Sequence, residues 1–277
     1  MDIPLVNAHR RVALVTGAGR GIGRAHALTL AARGCAVVVN DIGAALDGTG
    51  RDDGPSRQVA DEIEAAGGRA ISDHTDVGSV AGGCAAVAAA IDAFGRIDIV
   101  VNNAGFAHGG GDLAAPDEAQ LEALLGVHFL AAVGTMSAAF ADMRGRSWGR
   151  IVNTVSEVAL DTRMRGSLGY GAAKAAVWSA TISAARDAAP YGITVNAISP
   201  GARTRMNSDL LDAGALGVPP SDLDPLHVAA VVAYLASDDA CDITGRIIHT
   251  AGGAIREYST TRSSRTELVA RLEAVVG

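Results

Sequence analysis

The sequence predicts a doubly wound α/β fold in one domain, 1–277, with a central parallel sheet of about seven strands and helices on both faces. Three observations predict it. Short β-branched runs recur at Val12 to Val15, Ala36 to Asn40, Ile97 to Asn102, Arg150 to Thr154, Ile193 to Ile198 and Ile247 to Thr250. They lack polar alternation, as strands buried on both faces do. Between them lie Ala-rich stretches with helical spacing, at Gly23 to Arg33, Gln58 to Ala66, Val80 to Ala93, Asp117 to Met143 and Ala172 to Ala188. The 34 glycines gather at the ends of apolar runs, where they punctuate a folded chain.

Composition narrows the function classes. Hydrophobic residues make up 49% and charged residues 19%, which excludes disorder, and with 4% aromatic residues the core must be built from Ala, Val, Ile and Leu. A net charge of -7 without any Lys/Arg run argues against nucleic acid as a partner. Cys35, Cys84 and Cys241 are odd in number and far apart, fitting neither a disulfide framework nor a zinc ligand set. The expected setting is therefore a reducing cytoplasm, with no metal. Met1 to Arg11 lacks an export signal and no uninterrupted apolar stretch of about 18 residues follows, so no membrane partner is expected.

Chemistry enters at the first strand end. Val12 to Gly23 reads as a buried strand, then Gly17-x-x-x-Gly21-x-Gly23, then a helix. At such a junction free backbone N–H groups face a diphosphate, and side chains on the glycines would block its approach. A tight turn without a ligand is the plainer alternative. Asp41 ends the second strand about 20 residues on, where a carboxylate accepts from both ribose hydroxyls and repels a 2′-phosphate; a turn residue is the other reading. Arg20 would favour a 2′-phosphate, so NAD is the expected cofactor with NADP kept open. Asp76 follows the third strand, either at the adenine edge or as an N-cap. Two inserts break the strand-helix rhythm: a glycine-rich loop at 43–55 and a segment at 204–225. Either could cover a ligand; the first could equally be solvated decoration.

Tyr170 and Lys174 stand four apart at the start of a helix, on one face, where an ammonium would favour the phenolate. The full order adds Asn103-Ala104-Gly105 after the fourth strand, Ser156 after the fifth and Pro200-Gly201 after the sixth. That order resembles the short-chain dehydrogenase/reductase family over about Arg11 to Ile255. The resemblance implies a Rossmann fold in which Gly17, Gly19, Arg20, Gly21, Ile22 and Gly23 line the diphosphate, Asp41 selects NAD, and Asp76 with Val77 approaches adenine. Asn103, Ala104 and Gly105 would pack beside the cofactor, with Pro200, Gly201 and Thr204 completing its site. It further implies Tyr170 as general acid/base, Lys174 as the group that binds the nicotinamide ribose and lowers the Tyr170 pKa, and Ser156 as hydrogen-bond partner of the substrate oxygen. His128 stands where many members carry an Asn that anchors a proton relay; it is either a fourth catalytic residue or a packed histidine satisfied by a carbonyl. Ser156 also lies one position further from Tyr170 than is commonest in the family.

Within the family, Val37 to Gly43, the glycine-rich loop, His128 and Pro200-x-x-x-Thr204-Arg205-Met206 are similar to the (3R)-hydroxyacyl-CoA dehydrogenase unit of peroxisomal multifunctional β-oxidation enzymes and bacterial relatives. The expected reaction is thus NAD-dependent interconversion of a secondary alcohol and a ketone on a 3-hydroxyacyl-CoA. A hydroxysteroid or another lipophilic alcohol is the nearest alternative, and a non-catalytic NAD(H)-sensing module is the alternative of another class. Asp161, Arg163, Met164 and Arg165 could frame a CoA phosphate or be plain exposed charge. The insert at 204–225 reads as a substrate lid or a fixed cover. Ser264-x-x-Glu267 opens an amphipathic C-terminal helix, 264–277, that packs on its own chain or on a neighbour in a homo-oligomer, tetramer or dimer.

Overall fold

The computed structural model describes residues 11–107, 110–111, 113–161, 164, 166–205 and 223–259. Most of the expected lid, together with Arg163, Arg165 and the C-terminal helix, lies outside these residues. The apolar runs form β1 (Val12–Thr16), β2 (Ala36–Asn40), β3 (Arg69–Asp73), β4 (Ile99–Asn102), β5 (Gly149–Thr154), β6 (Ile193–Gly201), β7 (Ile247–Ala251) and β8 (Ala254–Tyr258). The helices are α1 (Gly21–Ala32), α2 (Gly54–Ala65), α3 (Val80–Phe94), α4 (Glu118–Leu125), α5 (Ala131–Arg144), α6 (Leu168–Ala188) and α7 (Pro225–Leu235).

All eight strands form one sheet in the order β3-β2-β1-β4-β5-β6-β7-β8. The first seven are parallel, and β8 returns antiparallel to β7. Successive residues of a strand serve opposite faces. Val15, Val37 and Val39 join Leu30, Ile63 and Val232 in one core; Leu14, Val38 and Val100 join Val87, Met143 and Ala185 in the other. This double burial is why the strands show no alternation. The sheet order reverses between β1 and β4, and at that switch point the loops diverge and leave a crevice at the carboxyl ends.

Several expectations are corrected. The sheet has an eighth strand, because the chain turns back at Gly252–Gly253 and pairs from Ala254 onward. Pro200 and Gly201 do not follow β6 but end it, paired with Thr250 and Ala251. The insert at 43–55 is shorter than expected, since Gly54 and Pro55 already form the first turn of α2, where proline's missing N–H costs nothing. The single helix expected over Asp117 to Met143 is α4 and α5 joined by a π-helical turn, Gly126–Leu130, which carries His128. By length and composition Glu118–Arg144 is long and apolar enough to cross a bilayer, but half of its most apolar 18-residue window is buried inside this fold.

His26 on α1 is fully buried, and among the described residues neither ring nitrogen has a hydrogen-bond partner. Burial brings its pKa from 6.5 to about 3. Between those values the unfolded chain takes up a proton that the folded chain refuses, so stability falls as the pH drops below 6.5. This one residue is expected to cost about 2 kcal/mol between pH 7 and pH 5. Urea midpoints at the two pH values should show a smaller acid loss in His26→Leu than in the native chain.

Candidate active site

The crevice at the switch point is a cleft of about 860 Å³. Gly17, Arg20, Gly21, Ile22, Gly23, Asp41, Asp76, Val77, Asn103, Ala104, Gly105, His128, Ser156, Tyr170, Lys174, Pro200 and Thr204 all line it. Gly19 and Gly201 do not. Gly19 packs under Pro55 and donates its N–H to Asp41, while a side chain at Gly201 would strike Ala251 on β7.

The glycine turn is shaped by contacts within the chain. Gly17 has φ +64°, and a Cβ on Gly23 would lie 2.0 Å from the Gly17 carbonyl oxygen. Thr16, which the sequence reading passed over although it directly precedes the turn, locks this geometry. Its hydroxyl accepts the N–H groups of Asn103 and Ala104, each at 3.0 Å. The Asn103 amide in turn donates to the carbonyls of Thr16 and Gly17. The first turn of α1 has no side-chain cap at Arg20. Its free N–H groups thus fit a diphosphate.

At the end of β2 the Asp41 carboxylate accepts from Gly19 at 2.8 Å and from Gly43 at 2.7 Å, one bond per oxygen. The remaining lone pairs are available to a ribose diol. Arg20 is paired with Asp52 at 3.4 Å. Asp76 pairs with Arg51 at 2.8 Å and accepts from Gly78. It is not the N-cap of α3; Ser79 is, accepting from Gly82. The insert after β2 arches over this half of the cleft: Ala44, Ala45 and Leu46 line it, and Gly48 sits against the Phe106 ring.

The other half of the cleft holds the titratable set. Ser167 caps α6 by accepting from the Tyr170 N–H, which starts the helix just ahead of the reactive residues. Lys174 is buried, and its ammonium donates to the Thr154 carbonyl at 2.8 Å and lies 5.7 Å from the Tyr170 ring centre. Burial lowers its pKa from 10.5 to about 7. Burial likewise pushes the Tyr170 phenol up, partly offset by a hydrogen bond with Ser156. In this structure desolvation is the largest influence on the Tyr170 phenol.

His128 is buried in the cleft wall, and its Nδ1 has no hydrogen-bond partner among the described residues. Its Nε2 donates to the Phe106 carbonyl at 2.8 Å, which assigns the proton to that nitrogen and makes Nδ1 the acceptor. Burial and then the Lys174 charge hold the imidazole well below its usual range, so it is neutral. Its ring meets Tyr170 edge-on at 5.4 Å. A Cβ on Gly105 would lie 2.0 Å from the imidazole, so Gly105 serves to admit this ring. Among the described residues no group of three or more His, Cys, Asp or Glu could hold a metal.

The comparisons with known proteins agree with this geometry. The family profile described as short chain dehydrogenase matches residues 11–213. The chain is 37% identical over 270 residues to the hydroxyacyl-CoA dehydrogenase ChsB1 of Mycobacterium tuberculosis, covering 92% of this chain and 81% of that protein. It is 34% identical over 254 residues to the peroxisomal hydratase-dehydrogenase-epimerase of Saccharomyces cerevisiae, covering 92% of this chain but only 27% of that much longer enzyme. A solved short chain dehydrogenase from Mycobacterium avium superposes with a TM-score of 0.82 at 36% identity, covering 96% of this chain and 94% of that one.

Holding Lys174 in the core costs stability. Between pH 7 and 10.5 the unfolded chain keeps a proton that the folded chain releases, so this residue destabilises most at neutral pH and below. Lys174→Met is expected to abolish turnover yet raise stability at pH 7 by about 1–4 kcal/mol. In urea titrations that gain should shrink as the pH approaches 10.5.

Proposed function

The chain belongs to the short-chain dehydrogenase family and is an oxidoreductase acting on CH–OH groups; on that premise we propose that it is an NAD-dependent dehydrogenase of a 3-hydroxyacyl-CoA. The observation that carries the reading is the convergence of Ser156, Tyr170 and Lys174 on one end of a cleft whose other end presents Asp41. The names of its relatives support the acyl-CoA class, and Asp41 supports NAD over NADP because a carboxylate repels a 2′-phosphate.

A nicotinamide dinucleotide, held by the glycine turn and Asp41, would supply the redox chemistry as a hydride carrier. The chain supplies placement and protons. Ser156 hydrogen-bonds the substrate oxygen and Tyr170 exchanges its proton. With its phenol raised by burial, Tyr170 is a ready donor to a ketone at neutral pH; to oxidise an alcohol it must first lose its proton. The Lys174 ammonium, oriented by the Thr154 carbonyl, favours that loss while it remains charged. Oxidation should therefore quicken with rising pH, whereas reduction should not.

Tyr170→Phe is expected to lower kcat/KM by about 10²–10⁴ with NADH affinity nearly unchanged; retained turnover would remove Tyr170 from the chemistry. Asp41→Ala should weaken NAD and shift the NADP/NAD preference by about tenfold, read as a ratio of kcat/KM. A 3-hydroxyacyl-CoA should exceed the corresponding free alcohol and a hydroxysteroid in kcat/KM by at least about tenfold. Equal values would point to a lipophilic alcohol instead.

A further inference from the structure

The turn that carries Ser156 is held from a direction the reaction does not require. Ser156 caps a 3₁₀ turn, Glu157–Ala159, with its hydroxyl accepting the Val158 N–H at 3.3 Å. On one side Val158 lies over the start of α6, where a Cβ on Gly171 would sit 3.7 Å from it, one residue beyond Tyr170. On the other side Glu157 faces the β7–β8 hairpin. The Tyr258 hydroxyl donates to Glu157 Oε1 at 2.5 Å, and His249 Nδ1 lies 3.5 Å from the same oxygen. Burial, then the Glu157 carboxylate, push the Tyr258 pKa up to about 12, so Tyr258 remains the donor across the working pH range.

β7 is held in the sheet by β6, whereas β8 is held by its ladder to β7 and an exposed Arg246–Glu257 ion pair and has few buried side chains of its own. Residues 254–257 of β8 are exposed, and within this strand Tyr258 alone is half-buried. Its ring packs on a small core of Val155, Val177, Ala197 and Ile247, which touches the chain just before Ser156 and one turn beyond Lys174. Among the described residues Glu157 is not part of the cleft lining, unlike Ser156 beside it. Its carboxylate, with a side chain 23% exposed, links the turn that carries Ser156 to β8.

We propose that Glu157 and Tyr258 are positioning residues, a carboxylate–phenol tether through which the β7–β8 hairpin sets the Ser156 hydroxyl against Tyr170. This rests on Ser156 acting at the substrate oxygen, as proposed above. A hydroxyl misplaced by a fraction of an ångström lowers the rate without changing what the cleft binds.

Tyr258→Phe keeps the ring and deletes only the donor. It is expected to lower kcat by about 10- to 100-fold with the KM for dinucleotide unchanged. Glu157→Ala should match it, the double variant should be no worse than either single one, and Glu157→Gln, which retains an acceptor, should restore most of the rate. Ile255→Ala, at an exposed site on the same strand, should change nothing. Hydrogen exchange at the Val158 amide should quicken in Tyr258→Phe and stay slow in Glu157→Gln. The proposal is overturned if Tyr258→Phe and Glu157→Ala keep kcat within about twofold of the native chain. It is also overturned if Glu157→Gln behaves like Glu157→Ala, which would assign the effect to charge. Should the native chain turn over no secondary alcohol, the reading of Ser156 fails. The tether is then judged by Val158 exchange alone: quickening in Tyr258→Phe sustains it and no change refutes it.

Discussion

The hydroxyl of Thr16 accepts two backbone N–H groups from the chain leaving β4, and on that cross-link the geometry of the cleft depends. β1 and β4 are neighbours in the sheet, but the chain passes through β2, β3 and three helices between them. At their carboxyl ends the ladder stops and the two loops part, leaving backbone polar groups that need partners. Thr16 and the Asn103 amide satisfy them across the gap. The glycine turn is thus pinned to the sheet while its other face, with the first turn of α1, stays open for an anion.

From that junction the cleft extends in two directions with opposite physical character. Toward β2 it is polar and charged: Asp41 is oriented by two backbone N–H groups, and the arch after it is anchored by Arg51 to Asp76. Toward β5 and α6 it is desolvated. Lys174 and His128 are buried there with Tyr170 against them, and the lysine and histidine are driven toward their neutral forms while the phenol resists ionising. Of the three, Lys174, brought to about 7, is the group that a modest change in surroundings moves across neutrality, which suits a site that must move one proton. The stability given up at Lys174 accompanies that poise.

The hairpin β7–β8 closes the desolvated side from behind. It adds an antiparallel edge to an otherwise parallel sheet, and the tight turn at Gly252–Gly253 lets Tyr258 come back opposite Ile247. Ser156, Tyr170 and Lys174 come from β5's end and α6, but the turn carrying Ser156 rests on both α6 and this edge strand. The last of the described strands is in this way part of the frame of the site.

The sequence by itself determined the parallel sheet, the glycine turn and the cleft-lining set from Gly17 to Lys174. Those are local matters: unalternating β-branched runs demand burial on both faces, and a strand–glycine–helix junction or a Tyr–Lys pair four apart declares itself within a few residues. Only the tertiary structure decided what depends on neighbours distant in the chain. Gly105 is glycine because His128 fills the space beside it, and His128 is there because a π turn interrupts a helix that periodicity reads as continuous. The direction of the Tyr170 and Lys174 shifts follows from burial, which spacing does not reveal. The Glu157–Tyr258 bond joins residues 101 positions apart; no local pattern can announce a contact whose partners are brought together by the sheet alone.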